Sequence, residues 1–216
     1  MMISFVLPVY NEETNIKGFL GDLTVYCSKL GFEFEFIIVN DGSNDGSHDA
    51  IRSLLNKYQC KYIKFSRNFG KEMAINAGLK KVAGDYCVIM DTDYQHPFNM
   101  IETLVEEIQS TSANMVYTYI DKRTHESFIK RKLTNFYYFL LNKFSDISIP
   151  EGAGDYRILD KKVVDSLVEL NESDPYMKGL YSWVGYKVHG IPYLPDARRS
   201  GATKYSFGKL FKSAFA

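Results

Sequence analysis

The chain has 216 residues, and its 26 Lys plus Arg exactly offset its 26 Asp plus Glu, so the formal net charge is zero. Charged residues make up 24% and aromatic residues 15%, a composition that is neither disordered nor collagenous and that supports a sizeable core. A neutral balance excludes a general nucleic-acid-coating role, which needs a strongly basic surface.

The first half alternates strands and helices. Residues 3–7 (Ile3-Ser4-Phe5-Val6-Leu7) form a short apolar run closed by Pro8, which predicts a buried strand. From residue 12 to residue 30, Ile16, Phe19, Leu20, Leu23 and Tyr26 recur at three- and four-residue steps, the period of a helix. Residues 34–39 predict a second strand that stops at Asn40-Asp41-Gly42-Ser43. A helix is expected over 47–58 with Ile51, Leu54 and Leu55 on one face, a third strand over 62–65, and a helix over 71–82. Residues 86–90 predict a fourth strand ending at Asp91-Thr92-Asp93, followed by a helix over 98–109 and a strand over 114–119. Strands separated by helices of this length imply βαβ units, hence an α/β fold with a mainly parallel sheet and helices on both faces.

After residue 120 the pattern changes. Residues 121–127 are polar and turn-prone, and 128–143 predict a basic helix with Phe136, Tyr137, Phe139 and Leu140 crowded on one side. Glu151-Gly152-Ala153-Gly154 reads as a hinge-like turn before Asp155-Tyr156-Arg157. Helices are expected over 161–170 and 175–184, a strand over 186–193, a basic loop over 196–204 containing Gly201, and an amphipathic helix start over 206–216. There is neither an internal repeat nor a low-complexity linker. One domain is therefore expected over 1–216, with residues 121–216 elaborating the second half.

The zero net charge is unevenly spread. Residues 121–143 hold six basic side chains against Asp121 and Glu126, a net +4, and residues 196–216 hold five against Asp196, again +4. The remainder is an acidic body. Two basic segments on such a body point to a localised anionic partner, either phosphates or an anionic membrane face. No run of 18 apolar residues and no signal-peptide pattern occurs, and the odd, widely spaced Cys27, Cys60 and Cys87 read as reduced, mostly buried thiols of a cytosolic protein.

In an open α/β sheet, ligands bind at the carboxyl ends of the strands. That rule selects residues 8–12, 40–46, 66–70 and 91–97 together. Asp91 and Asp93 lie two residues apart just past a buried strand, a spacing that lets carboxylate oxygens hold a hard divalent cation and leaves places for substrate phosphate. His96 is either a further ligand or a plain loop residue. Asp41, at the tip of the second strand, either accepts hydrogen bonds from a nucleoside or simply caps a turn.

These motifs carry a family resemblance. Val6-Leu7-Pro8-Val9-Tyr10-Asn11-Glu12, Ile38-Val39-Asn40-Asp41-Gly42-Ser43, Ser66-Arg67-Asn68-Phe69-Gly70-Lys71 and Asp91-Thr92-Asp93-Tyr94-Gln95-His96-Pro97 resemble the family 2 glycosyltransferases of the Rossmann-like GT-A fold. More narrowly, they resemble the polyprenyl-phosphate glycosyltransferases, the group of dolichyl-phosphate mannose synthase and the bacterial undecaprenyl-phosphate glucosyltransferases. The likeness continues through Glu126-Ser127, Lys130-Arg131, Gly154-Asp155-Tyr156-Arg157, Trp183-Val184-Gly185-Tyr186 and residues 198–206, so it covers essentially the whole chain. Two departures stand out. Asn40 replaces an acidic residue often found there, and Thr92, Tyr94 and His96 replace Ala, Leu and Asp in a segment that often reads DADLQDP.

The resemblance implies an inverting hexose transfer from a nucleotide-sugar donor, UDP-glucose or another UDP-hexose by analogy, to a polyprenyl phosphate at the cytoplasmic membrane face. It implies that Pro8, Tyr10, Glu12, Asp41 and Asp91 frame the nucleotide. Asp91, Asp93 and Gln95 would bind Mg²⁺ or Mn²⁺. Arg199, Lys204 and Ser206 would close on phosphate, and Arg123 and Arg131 would meet the acceptor phosphate. Asp155 would be the catalytic carboxylate, with an Asp155–Arg157 ion pair as its alternative role. Residues 1–120 would form the nucleotide-sugar half and 121–216 the acceptor and membrane-proximal half. Full-length relatives carry membrane helices after the region matching Lys204-Tyr205-Ser206, so the chain reads as the catalytic domain of a longer membrane protein. A polysaccharide or protein acceptor, a non-catalytic nucleotide-sugar-binding module and a homo-oligomeric state all stay open at this point.

Overall fold

The computed structural model describes residues 1–120 and 152–196. Its strands are β1 (Met2–Val9), β2 (Glu33–Asn40), β3 (Cys60–Lys64), β4 (Tyr86–Ile89), β5 (Met115–Ile120), β6 (Ala153–Asp160) and β7 (Val188–Tyr193). Its helices are α1 (Ile16–Lys29), α2 (Ser47–Arg52), α3 (Lys71–Leu79), α4 (Asn99–Ser110), α5 (Lys161–Glu169) and α6 (Met177–Trp183). The expected helix over 128–143 and the expected helix start over 206–216 lie outside the described residues. Among the described residues, no helix is long and apolar enough to cross a membrane.

The seven strands form one sheet in the order β3-β2-β1-β4-β6-β5-β7. Every described strand runs the same way except β6, which is antiparallel to both β4 and β5. The mainly parallel sheet is therefore as expected, but residues 153–154 are strand rather than turn. Ala153 pairs with Tyr119 across an irregularity in β5, and the antiparallel neighbours draw the glycine-rich segment into the sheet.

The pleat explains why helices cover both faces. Phe5, Leu7, Phe36, Ile38 and Val88 point to one face, where α1, α2 and α4 bury Phe19, Leu20, Ile51, Ile101 and Leu104. Val6, Ile37, Val39, Cys87 and Ile89 point to the other, against Ala74, Ile75 and Leu79 of α3, Val163 and Leu167 of α5, and Met177 and Tyr181 of α6. Alternating side chains that are apolar on both faces produce the near-continuous hydrophobic runs seen in the sequence. At Gly78 a Cβ would lie 2.5 Å from a Val6 methyl, so only glycine lets α3 approach β1 this closely.

Two element ends differ from expectation. β1 continues through Pro8 to Val9. Met90 N–H donates to Val6 O, and by alternation the absent N–H of Pro8 faces the same side, beyond the last residue of β4. α2 ends at Arg52 because the chain tightens. Leu54 N bonds Ile51 O, Lys57 N bonds Leu54 O, and the Ser53 hydroxyl donates to Ala50 O at 2.7 Å.

At the sheet end opposite the predicted site, Glu35 is buried in a polar knot. It accepts from Ser4 Oγ at 2.7 Å, from Ala83 N at 3.1 Å, and pairs with Lys61 at 2.8 Å. The three cysteines are free, and burial pushes the Cys27 thiol up to about 12 and the Cys60 thiol up to about 11, which keeps both protonated.

Candidate active site

The loops after β1 and β2 are laced together. Asn11 N donates to Ser43 Oγ at 3.0 Å, Asn44 N donates to Asn11 Oδ1 at 2.8 Å, and Glu12 N donates to Ser47 Oγ at 2.8 Å. Glu12 also accepts from Asn15 Nδ2 at 2.7 Å, while its carbonyl receives the first N–H groups of α1. Pro8, Tyr10 and Glu12 are each half-buried at the end of β1 and in the loop that follows it. Asn40 uses both ends of its amide, accepting from Ser43 N at 2.9 Å and donating to Tyr62 Oη at 3.1 Å.

Asp41 is buried at the tip of β2 and grips the loop after β3. Its Oδ1 accepts from Phe69 N at 2.7 Å, and its Oδ2 accepts from Gly70 N at 3.0 Å and Asn68 Nδ2 at 2.9 Å. Burial raises its pKa, outweighing the two backbone N–H groups that favour the anion. Gly42 has φ +63 and its Cβ position lies 2.2 Å from the Arg67 carbonyl carbon, so the two loops touch only because residue 42 is glycine. Between them opens a cleft of about 830 Å³, including open solvent, lined by Ser43, Asn44, Lys64, Arg67 and Asn68.

The segment after β4 is held from three sides. His96 Nδ1 accepts from Asp91 N at 3.0 Å, and its ring stacks on Tyr156 with centroids 4.5 Å apart. Tyr156 in turn donates to Pro97 O at 3.0 Å. Tyr94 takes a left-handed backbone at φ 66, with its hydroxyl on Asp22 of α1 at 2.8 Å and its ring edge-on to Phe19. Asp93 is buried and its Oδ1 accepts from Gln95 N at 3.0 Å. Gln95 O accepts from Asp196 N at 3.1 Å, which fastens the start of the basic loop to this segment. Burial lowers the pKa of His96, with Asp91 pulling the other way, so the imidazole is neutral and acts as a brace.

Lys71, the first residue of α3, joins the two halves. Its Nζ lies 2.7 Å from Asp91 Oδ1, 2.8 Å from Asp91 Oδ2 and 2.8 Å from Asp155 Oδ2. Burial disfavours this ammonium, but Asp91 and then Asp155 outweigh that and raise its pKa. For Asp155 burial favours the neutral acid, yet Lys71, with Lys178 and Arg157 behind it, holds the carboxyl well below the usual carboxylate range. Asp155 Oδ1 is buried with no partner among the described residues. Arg157 pairs elsewhere: its guanidinium lies 3.7 Å from the Tyr181 ring centroid and donates to Gly154 O. Asp155 is thus bound to Lys71, and the Asp155–Arg157 pair is not among the described contacts.

The structure brings Asp91 and Asp155 together across one ammonium and ties Asp41 to the same helix start through Gly70. The motif reading overlooked Lys71 and Tyr156 as working parts. Lys71 carried a weak signal, a basic residue at the start of a helix at the ligand edge of the sheet. Arg123, Arg131, Arg199, Lys204 and Ser206 lie outside the described residues.

A divalent cation fits the donor chemistry. Asp91 and Asp93 offer hard carboxylate oxygens, and Lys71 already marks Asp91 as a place for positive charge. Among the described residues no group of three or more His, Cys, Asp or Glu side chains stands ready to hold a metal. A cation here would therefore complete its shell with substrate phosphate and water.

The "Glycosyl transferase family 2" model matches residues 4–168, and the chain belongs to this family. It is 38% identical over 211 residues to the "Uncharacterized glycosyltransferase YkcC" of Bacillus subtilis (strain 168), covering 97% of this chain and 65% of the relative. It is 36% identical over 215 residues to the "Prophage bactoprenol glucosyl transferase homolog" of Escherichia coli (strain K12), covering 99% of this chain and 70% of the relative. The chain thus spans about two thirds of the length of the curated relatives it matches. The fold is that of GT-A glycosyltransferases. S. aureus TarS 1-349 in complex with UDP-GlcNAc superposes with a TM-score of 0.60 at 16% identity, covering 94% of this chain and 60% of that one. Glucosyl-3-phosphoglycerate synthase from Mycobacterium tuberculosis, in complex with Mn²⁺, UDP and phosphoglyceric acid, gives 0.59 at 17%, covering 97% and 73%.

Proposed function

We propose that this chain is the catalytic domain of a membrane-associated, metal-dependent, inverting hexosyltransferase. It moves glucose, or another hexose, from a UDP-sugar to a polyprenyl phosphate such as undecaprenyl phosphate. The observation that carries this reading is the approach of Asp91 and Asp155 across Lys71 at the ligand edge of a family 2 sheet. The relatives named bactoprenol glucosyl transferase, matched over 99% of the chain, support the choice of acceptor and sugar.

In this reading Pro8, Tyr10, Glu12 and Asp41 frame the nucleoside, and Asp91, Asp93 and Gln95 hold Mg²⁺ or Mn²⁺. The cation supplies charge neutralisation on the departing diphosphate. An acceptor phosphate oxygen forms the new bond to the anomeric carbon from the face opposite UDP, the bond to the diphosphate oxygen breaks, and UDP leaves with its electron pair. The acceptor is already anionic near neutral pH, so no strong base is required. Asp155 suits that demand, because a carboxyl held ionised by Lys71 is a poor proton acceptor. In this reading Asp155 orients the acceptor rather than deprotonating it, and its buried Oδ1, which has no partner among the described residues, supports a role that completes itself on substrate binding.

Ile120, the last residue of β5, pairs with Tyr193, the last of β7. Ile120 and Leu194 are exposed there, Leu194 at 80%. Exposed apolar side chains together with a sequence that carries two +4 segments suit an anionic membrane surface on the cytoplasmic face, with Arg123, Arg131, Arg199, Lys204 and Ser206 receiving phosphates. Thermal unfolding with a panel of UDP- and GDP-sugars in Mg²⁺ or Mn²⁺ tests the donor assignment. UDP-hexoses are expected to raise the unfolding temperature only with metal present. Stabilisation by GDP-sugars alone contradicts it.

A further inference from the structure

Lys71 is the wrong charge for its position. The first turn of a helix carries partial positive charge from the peptide dipoles and favours anions. A lysine at that place is unfavourable unless other groups compensate it, and here two carboxylates do. The ammonium reaches both oxygens of Asp91 and one of Asp155, all within 2.7–2.8 Å. Three such contacts account for its three N–H donors. A divalent cation on Asp91 needs the same carboxylate oxygens, and the ammonium and the cation repel each other at that distance.

We propose that Lys71 is an internal counter-ion that competes with the divalent cation for Asp91. When the cation arrives, Lys71 gives up Asp91 and keeps Asp155. Loading of the donor site thereby resets the placement of Asp155, and Lys71 is a positioning residue for the reaction. The inference rests on Asp91 being a metal ligand. The side chain is suited to the movement: it is 28% exposed, and its four-carbon stem lets the ammonium swing while α3 stays packed on β1. Without Lys71, metal-free Asp91 and Asp155 face each other with no cation between them.

The test is Mn²⁺ binding without nucleotide, read by electron paramagnetic resonance, in the wild type, Lys71→Gln and Lys71→Arg. Gln keeps a hydrogen-bond donor between the carboxylates and removes the charge; Arg keeps the charge. Lys71→Gln is expected to bind Mn²⁺ about tenfold more tightly than the wild type, and Lys71→Arg within about threefold of it. Mn²⁺ should also raise the unfolding temperature of Lys71→Gln more than that of the wild type. In turnover, Lys71→Gln should lose kcat while the KM for the donor changes little. Mn²⁺ affinity in Lys71→Gln equal to or weaker than wild type overturns the competition. Failure of the wild type to bind Mn²⁺ both without nucleotide and with UDP present defeats the metal reading of Asp91; Mn²⁺ binding with UDP that is equally tight in wild type and Lys71→Gln leaves that reading standing and overturns the competition.

Discussion

Gly70 donates its backbone N–H to Asp41 Oδ2 at 3.0 Å, and this bond joins the tip of β2 to the start of the helix that carries Lys71. Asp41 and Asp91 follow different strands, β2 and β4, yet both connect to one two-residue step, Gly70-Lys71. Asp41→Ala removes the acceptor for three donors and is expected to cost about 2 kcal/mol of stability, since the loop donors can partly rehydrate. Donor affinity should fall by about tenfold or more as the two loops separate. Urea unfolding and UDP-sugar titration measure the two effects, and Asp41→Asn should fall between. Unchanged donor affinity in Asp41→Ala speaks against the loop-bracing role.

The neutral His96 brace makes metal-free stability depend on pH. Its pKa in the fold lies below the ordinary value, so the unfolded chain takes the proton first. Stability is then full above the ordinary histidine pKa of about 6.5 and declines as pH falls below it. Asp155 adds a second loss lower down. Its pKa is depressed by Lys71, so its contribution is present above the ordinary aspartate value of about 3.9 and fades as pH falls through the folded value. Urea midpoints in EDTA between pH 8 and pH 5 should fall for the wild type and flatten in His96→Gln. A wild-type midpoint that rises on acidification contradicts the neutral brace.

Tyr156 reaches Pro97 O with its hydroxyl and His96 with its ring, one residue from Asp155. Tyr156→Phe keeps the ring and is expected to cost about 1 kcal/mol, whereas Tyr156→Ala should cost about 3–5 kcal/mol through the cavity it leaves. Both should lower kcat, the alanine variant far more, because the segment bearing Asp91 loses its support. Equal kcat in wild type and Tyr156→Ala counts against that support.

Glu35 provides the contrast. It accepts from Ser4 and Ala83 and pairs with Lys61 at the far end of the sheet from Asp91. Glu35→Gln should cost about 2 kcal/mol, discounted because Lys61 is well exposed, and kcat measured below the unfolding transition should not change. A kcat loss comparable to that of an Asp91 variant is inconsistent with the site assignment.

Much of the fold was legible because its strands are written as apolar runs. Phe5-Val6-Leu7 and Phe36-Ile37-Ile38-Val39 have apolar partners on both faces, which is what a sheet covered by helices requires. β6 was less legible at its start, where Gly152 and Gly154 read as a turn and only pairing with Tyr119 reveals strand. The extent of α2 was hidden as well, since Ser53 and i→i−3 bonding tighten a segment whose apolar period continues. In the candidate site, spacing and resemblance singled out Asp91, Asp93 and Asp155, and the structure brings Asp91 and Asp155 to one ammonium. The role of Lys71 was not, because its carboxylate partners come from the segment after β4 and from β6, and no local pattern records that meeting.

The most direct test of the account is transfer of labelled glucose from UDP-glucose to undecaprenyl phosphate in anionic vesicles, with Mn²⁺ or Mg²⁺ present. Sugar and peptide acceptors are run in parallel. The account predicts a lipid-extractable glucosyl phosphate product with the wild type. It predicts loss of that product with EDTA, Asp91→Ala or Asp93→Ala, and no comparable transfer to the other acceptors. Efficient transfer to a sugar or peptide with none to the polyprenyl phosphate, or full activity of Asp91→Ala, would contradict it.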